Sequence, residues 1–304
     1  MKDNVFEKLK KDLPDIQKNI LLKDYTTFKI GGPAKYFFIA KTKEDLASVI
    51  ESAKKLKLKI FILGGGSNLL VSDKGFRGLV VKPEFSSFNF QKNKAYVEAG
   101  MGLTKFSYLT AKKSLSGMEW SAGIPGTVGG AIYGNAQAFG FRMSDFVESV
   151  EAMDTDALKF KKISKKQCQF SLKNSIFKKD KNLIIISTVL KLKKGNQKEI
   201  QKKIDEYINH RKKNHPLNFP SAGSVFVNPE NNGEVIRSSS LIEKCGLKGK
   251  KVGGAQISEK HANFIINLGG AKAKDVLALI KLAKQKVKKT FGIDLETEVQ
   301  LVGF

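Results

Sequence analysis

Two cysteines, Cys168 and Cys245, stand in a chain of 304 residues. They are too few and too far apart for a disulfide framework or a thiolate metal cage, so both are expected as small buried hydrophobes. Histidine is as scarce: His210, His215 and His261 show no HxxxH or HExxH spacing, which argues against a structural metal. No apolar run approaches the roughly 18–20 residues needed to cross a bilayer. The amphipathic start MKDNVFEKLKKDL lacks the apolar segment of a signal peptide, so no membrane association and a cytoplasmic location are expected. Arginine is the most informative shortage. The formal charge is +25, yet only Arg77, Arg142, Arg211 and Arg237 are guanidinium residues among 54 basic ones. Recognition of nucleic-acid phosphates and bases favours the planar fork of arginine. The lysines are spread over every segment without a basic arm, which describes a solvated surface rather than a nucleic-acid partner.

An apolar fraction of 41% is ample for buried cores, and the length predicts more than one lobe. Thr42 precedes Asp45 by three residues in KTKEDLASVIESAKKL, a capping-box start for a helix burying Leu46, Val49, Ile50 and Ala53. KIFIL then reads as a short buried strand, GLVVKP and KAYVEAG as strands, and GLTKFSYLTAKKSL as a helix carrying Leu103, Phe106 and Leu109. SDFVESVEAMD and KNLIIISTVLKLKK read as strands flanking a loop with QCQFSLKNSIF. Ile200, Ile204 and Ile208 lie four apart in NQKEIQKKIDEYINHRKK. The C-terminal part reads as a strand GSVFVN, a helix AKDVLALIKLAKQKV with Val276, Leu279, Ile280, Ala283 and Val287 inward, and a final strand LETEVQLVG. The expectation is an α+β protein with lobes at 1–80, 81–197 and 198–304.

Glycine collects in three stretches: TTFKIGGPA (26–34), LGGGSNLLVSDKGFRG (63–78) and GIPGTVGGAIYGN (123–135). Successive glycines let backbone N–H groups converge on an anion, and the missing Cβ lets a pyrophosphate or a flat ring approach the main chain. Any one stretch could equally be a tight turn. None reads GxxxxGK[ST], and none opens a helix as GxGxxG with an acid about 20 residues on, so neither a P-loop nor a Rossmann fingerprint is present.

These stretches, with GMEWSAGIPGTVGGAIYGN, PSAGSVFVNP, GGAQISEKHANFIIN and LETEVQLVG in this order and spacing, closely resemble the UDP-N-acetylenolpyruvoylglucosamine reductase family, in its shorter type II form. The resemblance runs from about residue 20 to the C-terminus. It implies a vanillyl-alcohol-oxidase or PCMH-type FAD-binding fold in two lobes over about residues 27–195, followed by a substrate-binding lobe. It implies non-covalent FAD, NADPH as co-substrate and UDP-GlcNAc-enolpyruvate as substrate, with a monomer expected. By resemblance, FAD would lie against Ile30, Gly31 and Gly32, against Gly64, Gly65, Gly66, Ser67 and Asn68, and against Ala122, Gly123, Ile124, Pro125, Gly126, Thr127, Gly129, Gly130, Gly134 and Asn135.

Reduction of an enol ether bearing a carboxylate requires a hydride donor, a cation at the carboxylate and a proton source. The resemblance assigns the hydride to flavin N5 and the proton to Ser224 in GSVF. In FSLK, Lys173 stands where the family has a catalytic arginine, keeping the charge and losing the bidentate fork. Glu298 matches the family's glutamate in the terminal strand. Strand alternation puts Glu296, Glu298 and Gln300 on one face, opposite Leu295, Val299 and Leu301. Arg211 and Lys213 are expected at the substrate diphosphate, with Asn228, Gln256, Lys260, His261 and Asn263 also in the substrate lobe. Val227 and Arg142 depart from the family pattern. With one nucleotide cradle visible, NADPH and substrate are expected to enter in turn. A covalently flavinylated oxidase on the same scaffold would need His or Cys in the glycine loops, and none lies there.

Overall fold

The computed structural model describes residues 3–231 and 233–304; Met1 and Lys2 of the amphipathic start lie outside the described residues. The chain groups into two compact units, one of residues 1–18, 36–65 and 78–209, the other of 19–35, 66–77 and 210–304. Both mix helices with mainly antiparallel sheet, the α+β class expected.

In the first unit a five-stranded antiparallel sheet runs in the order Lys159–Ser164, Val147–Asp154, Leu183–Lys191, Lys94–Glu98, Phe88–Gln91. Its middle strand is LIIISTVLK, buried from Leu183 to Thr188, as a β-branched run covered on both faces must be. The helix Lys43–Lys55 starts with the expected reciprocal box: Thr42 Oγ1 accepts from Asp45 N at 3.0 Å and Asp45 Oδ2 accepts from Thr42 N at 3.0 Å. Leu46, Val49, Ile50 and Ala53 are buried. Ile60–Ile62 pairs in parallel with Leu79–Val81, but is half-buried rather than fully buried, since only one neighbouring strand covers it. Leu103 and Phe106 of the helix Leu103–Lys112 enter the core beside Trp120, while Leu109 packs at its margin. Ile200 and Ile204 of the helix Gln197–Asn214 bury against Ala111 and Ala122, with Ile208 at the edge. SDF is a helical turn, Met143–Phe146, and the strand begins only at Val147 because Asp145 Oδ2 accepts from Arg142 N and caps that turn.

In the second unit a four-stranded antiparallel sheet orders Ser221–Ser224, Phe264–Asn267, Ala255–Ile257, Lys251–Val252. The helix Ala273–Phe291 buries Val276, Leu279, Ile280, Ala283 and Val287, the stripe expected. Its first turn is tied by Asp73, whose Oδ1 accepts from Ala273 N at 2.9 Å, and it ends at left-handed Gly292. Two strands are shorter than expected. GSVFVN yields Ser221–Ser224 plus a bridge from Phe226 to Thr297, and LETEVQLVG yields only Gln300–Val302, parallel to Leu69–Val71. Glu298 N donates to Val225 O at 2.8 Å and Val299 N leans to the same oxygen at 3.5 Å. That shared acceptor breaks the period-two alternation. Val302 is therefore buried, and Leu301, expected inward, is exposed. Cys168 is buried, and burial pushes its thiol up to about 11; Cys245 is only half-buried, its Sγ 3.8 Å from Thr290 Oγ1.

Candidate active site

The glycine stretches fold as main chain laid against main chain. In the first unit, a Cβ on Gly65 would come within 2.4 Å of Gly126 Cα, and one on Gly129 within 2.8 Å of Ala99 Cβ. In the second, a Cβ on Gly66, at φ +63°, would strike Tyr25 O at 2.0 Å, and one on Gly32 would strike Asp73 O at 2.2 Å. These positions accept no side chain because protein backbone, or at Gly129 the Cβ of Ala99, occupies the space. Gly64 and Gly130 differ: a Cβ there would meet only the side-chain Thr127 Oγ1, tightly at 3.2 Å from Gly64 and in ordinary contact at 3.5 Å from Gly130.

The amide inventory separates the stretches further. The N–H groups of Gly64, Gly65 and Gly66 join none of the turn, loop and cap hydrogen bonds among the described residues, whereas Gly66 O accepts from Thr27 N at 3.1 Å. Gly66 stands in the left-handed region, the conformation that lets successive N–H groups turn toward one anion. Over 122–135 the donors are largely spent within the protein. Ala122 N goes to Glu119 O, Gly123 N to Thr104 Oγ1, Ile124 N to Ser121 O, Gly129 N to Ala99 O, Gly130 N to Thr127 Oγ1 and Gly134 N to Gly130 O. This stretch, with the helix Val128–Tyr133 capped by Thr127, is built to present bare Cα atoms and carbonyls rather than a row of donors. Ile30, Gly31 and Gly32 hold the 66–77 segment in place. Ile30 is buried with its carbonyl accepting from Thr26 Oγ1, and Gly32 N donates to Ser72 O at 2.9 Å.

Asn135, expected at the cofactor, is bonded within the protein through its side chain and its backbone N. It is 2% exposed; Nδ2 donates to Ser171 O at 2.9 Å, Oδ1 accepts from Ser144 N at 3.0 Å, and its backbone N donates to Ile132 O. Ser171 and Asn174 exchange backbone bonds of 3.1 and 3.3 Å, closing a turn with Leu172 and Lys173 at its tip. Lys173 is half-buried at φ +54°, a conformation costly for a residue with a Cβ.

In the second unit Ser224 ends its strand after a register shift between Ser221 and Ser224, with Gly223 at φ +75° and open space where a Cβ would go. A bulge of this kind re-aims the side chain that follows it. Glu298 joins the same corner: its N bonds to Val225 O, and its carbonyl accepts from Asn68 Nδ2 at 3.3 Å. Asn68 O in turn accepts from Gln300 N. The fold thus brings Ser224, Glu298 and Asn68 together through their backbones, and Ser67 precedes Asn68 in the same loop.

The other substrate-lobe residues divide. Asn263, 4% exposed, spends its amide on Phe226, accepting from its N at 2.9 Å and donating to its O at 2.8 Å. Asn228 Oδ1 accepts from Ser238 N, at the start of the helix Ser238–Lys244. Both hold the segment after Ser224, Asn263 from within and Asn228 from an exposed position. Gln256 and Lys260 line a cavity of about 490 Å³ with Lys212, Phe219, Ser258 and Ile266. Lys260 Nζ donates to Lys212 O at 2.7 Å, at the end of the helix Gln197–Asn214. Lys213 is exposed, and Arg211 is 8% exposed, its guanidinium pushed down to about 10 by burial. His215 and His261 pack edge to face at 5.6 Å, each against Phe264. Burial first, then the cations Arg211, His261, His210 and Lys260, hold His215 down to about 4, and burial likewise lowers His261. This aromatic corner gave no sequence signal beyond its two histidines. Arg142 is exposed in the hairpin of Gln137–Ala138 with Phe141–Arg142.

Residues 34–158 match the FAD binding domain, and residues 215–302 match the C-terminal domain of UDP-N-acetylenolpyruvoylglucosamine reductase. Fold and glycine loops therefore define an FAD-binding oxidoreductase. The UDP-N-acetylenolpyruvoylglucosamine reductase of Lachnoclostridium phytofermentans is 43% identical over 288 residues, 93% of this chain and 91% of that one. That of Caldanaerobacter subterraneus is 40% identical over 306 residues, covering 100% and 99%. The crystal structure of the Thermus caldophilus reductase superimposes with a TM-score of 0.79 at 34% identity, over 94% of this chain and 99% of that one. The chain belongs to the UDP-N-acetylenolpyruvoylglucosamine reductase family, flavoenzymes that reduce a peptidoglycan precursor. The residues present fit FAD: the Gly64–Gly66 amide donors suit an anionic diphosphate, and the exposed Gly130 offers bare backbone to a flat group. Among the described residues no helix is long and apolar enough to cross a membrane.

Two measurements test these contacts. Gly66→Ala meets backbone as well as an unfavourable φ and should lose about 3 kcal/mol or more, while Gly223→Ala carries only the conformational cost of about 1–2 kcal/mol; urea unfolding of both variants checks the order. His215 protonates more readily unfolded than folded, so the unfolded state binds more protons between about pH 6.5 and 4. Stability should therefore fall with acid through that window, by on the order of 2 kcal/mol, and level off below it. His215→Phe should flatten the difference between unfolding midpoints at pH 7.5 and 4.5.

Proposed function

We propose that this chain reduces UDP-GlcNAc-enolpyruvate to UDP-N-acetylmuramate with NADPH, in the cytoplasm and as a monomer, and that Ser224 supplies the proton. The bulge that aims Ser224, held beside Glu298 by the bond from Glu298 N to Val225 O, is the observation that carries the reading. FAD, when bound, supplies the hydride for the vinyl carbon. The Gly64–Gly66 amide donors, with Ser67 and Asn68, would hold its diphosphate, and Ala122–Gly130, Pro125 included, would flank it with bare backbone. The division into lobes at 1–80, 81–197 and 198–304 belongs to the same reading.

A serine hydroxyl is a weak acid, so it donates only to a carbon that has become strongly basic. Ser224 is suited to the carbon beside the substrate carboxylate, where electron density arrives during reduction. Lys173 supplies the charge that stabilises this density. A lysine acts there as a point charge, without the two parallel bonds of an arginine. Glu298 orients the substrate carboxylate end, while Arg211 and Lys213 with the 490 Å³ cavity bearing Gln256 and Lys260 suit an anionic nucleotide portion. Taking NADPH and the enolpyruvyl substrate in turn requires only one such set of groups.

Ser224→Ala should leave bleaching of the yellow protein by NADPH nearly unchanged and slow recolouring by UDP-GlcNAc-enolpyruvate by about a hundredfold or more. Equal loss in both stopped-flow phases removes Ser224 from the role of acid. Lys173→Arg should keep or raise the recolouring rate, and Lys173→Ala should lower it by about a hundredfold.

A further inference from the structure

We infer that Asn135 and Ser175 are positioning residues that set the place of Lys173. The inference rests on the role proposed for Lys173. Lys173 sits at the tip of a turn whose base is closed by the Ser171–Asn174 pair. That base is fastened to the end of the helix Val128–Tyr133 at two points. Asn135 Nδ2 donates to Ser171 O at 2.9 Å, and Ser175 Oγ donates to Tyr133 O at 2.7 Å. Asn135 is 2% exposed and Ser175 fully buried, so water cannot readily replace either bond. Asn135 is itself held, by Ser144 N on its Oδ1, which fixes the direction of its donor. Lys178 Nζ donates to Lys173 O at 3.1 Å and steadies the far side of the tip.

The arrangement explains three features that cofactor contact does not. The buried amide of Asn135 is satisfied at both ends inside the protein. Asn135 adopts φ +43°, a left-handed conformation that asparagine tolerates better than most residues with a Cβ. Lys173 holds a left-handed conformation, which persists only where surrounding bonds over-determine it. The two bonds make the location of the tip, relative to the glycine helix that flanks the cofactor, a property of residues 135 and 175. A shift of about 1 Å at a charge-stabilising group can cost about a hundredfold in rate.

The test is a double-mutant cycle on the flavin-loaded enzyme. Asn135→Asp keeps the acceptor for Ser144 N and removes the donor to Ser171 O; Ser175→Ala removes the second fastening. Each is made alone and with Lys173→Ala. The expected result is a fall of about tenfold or more in the rate of recolouring by the enolpyruvyl substrate, with flavin content and NADPH bleaching kept within about twofold. In the Lys173→Ala background, either change should alter recolouring by less than about twofold. An equal loss in both backgrounds overturns the inference, as does loss of flavin or slower bleaching. Hydrogen exchange of the 168–178 peptide is read in parallel. Faster exchange in Asn135→Asp and Ser175→Ala is expected, and unchanged exchange overturns the fastening whatever the kinetics. If Lys173→Ala alone leaves recolouring intact, the role of Lys173 fails, and the exchange result then decides the fastening on its own.

Discussion

Backbone pressed on backbone is the constraint from which the rest of the site follows. Gly65 against Gly126, Gly66 against Tyr25 and Gly32 against Asp73 all leave less room than a single methyl group requires. Two loops that touch through their main chains cannot interdigitate side chains, so their relative position is set to within tenths of an ångström by van der Waals contact. A loop held from outside in this way need not use its own amides to define its turn. That is why the Gly64–Gly66 donors are not spent on the turn itself, while the neighbouring stretch, which folds through its own caps, uses most of its own.

Charge is handled by a second economy. The chain is strongly basic, yet its cations are mostly solvated lysines, whose interactions are weak and screened. Arg211 is the contrast: it is buried, and its guanidinium stays charged at neutral pH although burial brings it down to about 10. Burial and that nearby cation keep His215 neutral, so the aromatic corner of His215, His261 and Phe264 adds no further positive charge near neutrality.

Much of this was legible in the sequence where local rules and tertiary packing agree. The Thr42–Asp45 box, the inward stripe of the helix Ala273–Phe291 and the apolar run of Leu183–Lys191 satisfy propensity, pattern and burial together. The glycine stretches were legible as places without side chains, but not as to what excludes them. Sequence pattern carries no distinction between a glycine whose Cα meets only a side-chain hydroxyl, such as Gly64, and one facing carbonyl oxygen, such as Gly66. The terminal strand misled for a related reason. Alternation in LETEVQLVG assumes an unbroken ladder, and Val225 O, bonded from both Glu298 N and Val299 N, turns the phase before Leu301. The buried Asn135 and Asn263 satisfy backbone at loops that have no ladder of their own, a task that polar side chains in a sequence do not announce, while Asn228 stays exposed.

Hydrogen-bond geometry also bears on why a lysine can stand at position 173. An arginine fork must be aligned with a carboxylate in two directions, so the protein has to control both the place and the orientation of the guanidinium. An ammonium group presents three rotatable donors around a compact charge, and only its place matters. A turn tip fastened at its base by Ser171 and Ser175 controls place well and orientation less well, because the long side chain beyond the tip keeps its own torsions. The chemistry of the residue at the tip and the manner in which the tip is held are thus matched. On the role proposed for Lys173, two buried hydrogen bonds at the base of the turn stand in for the precision that a fork would have provided.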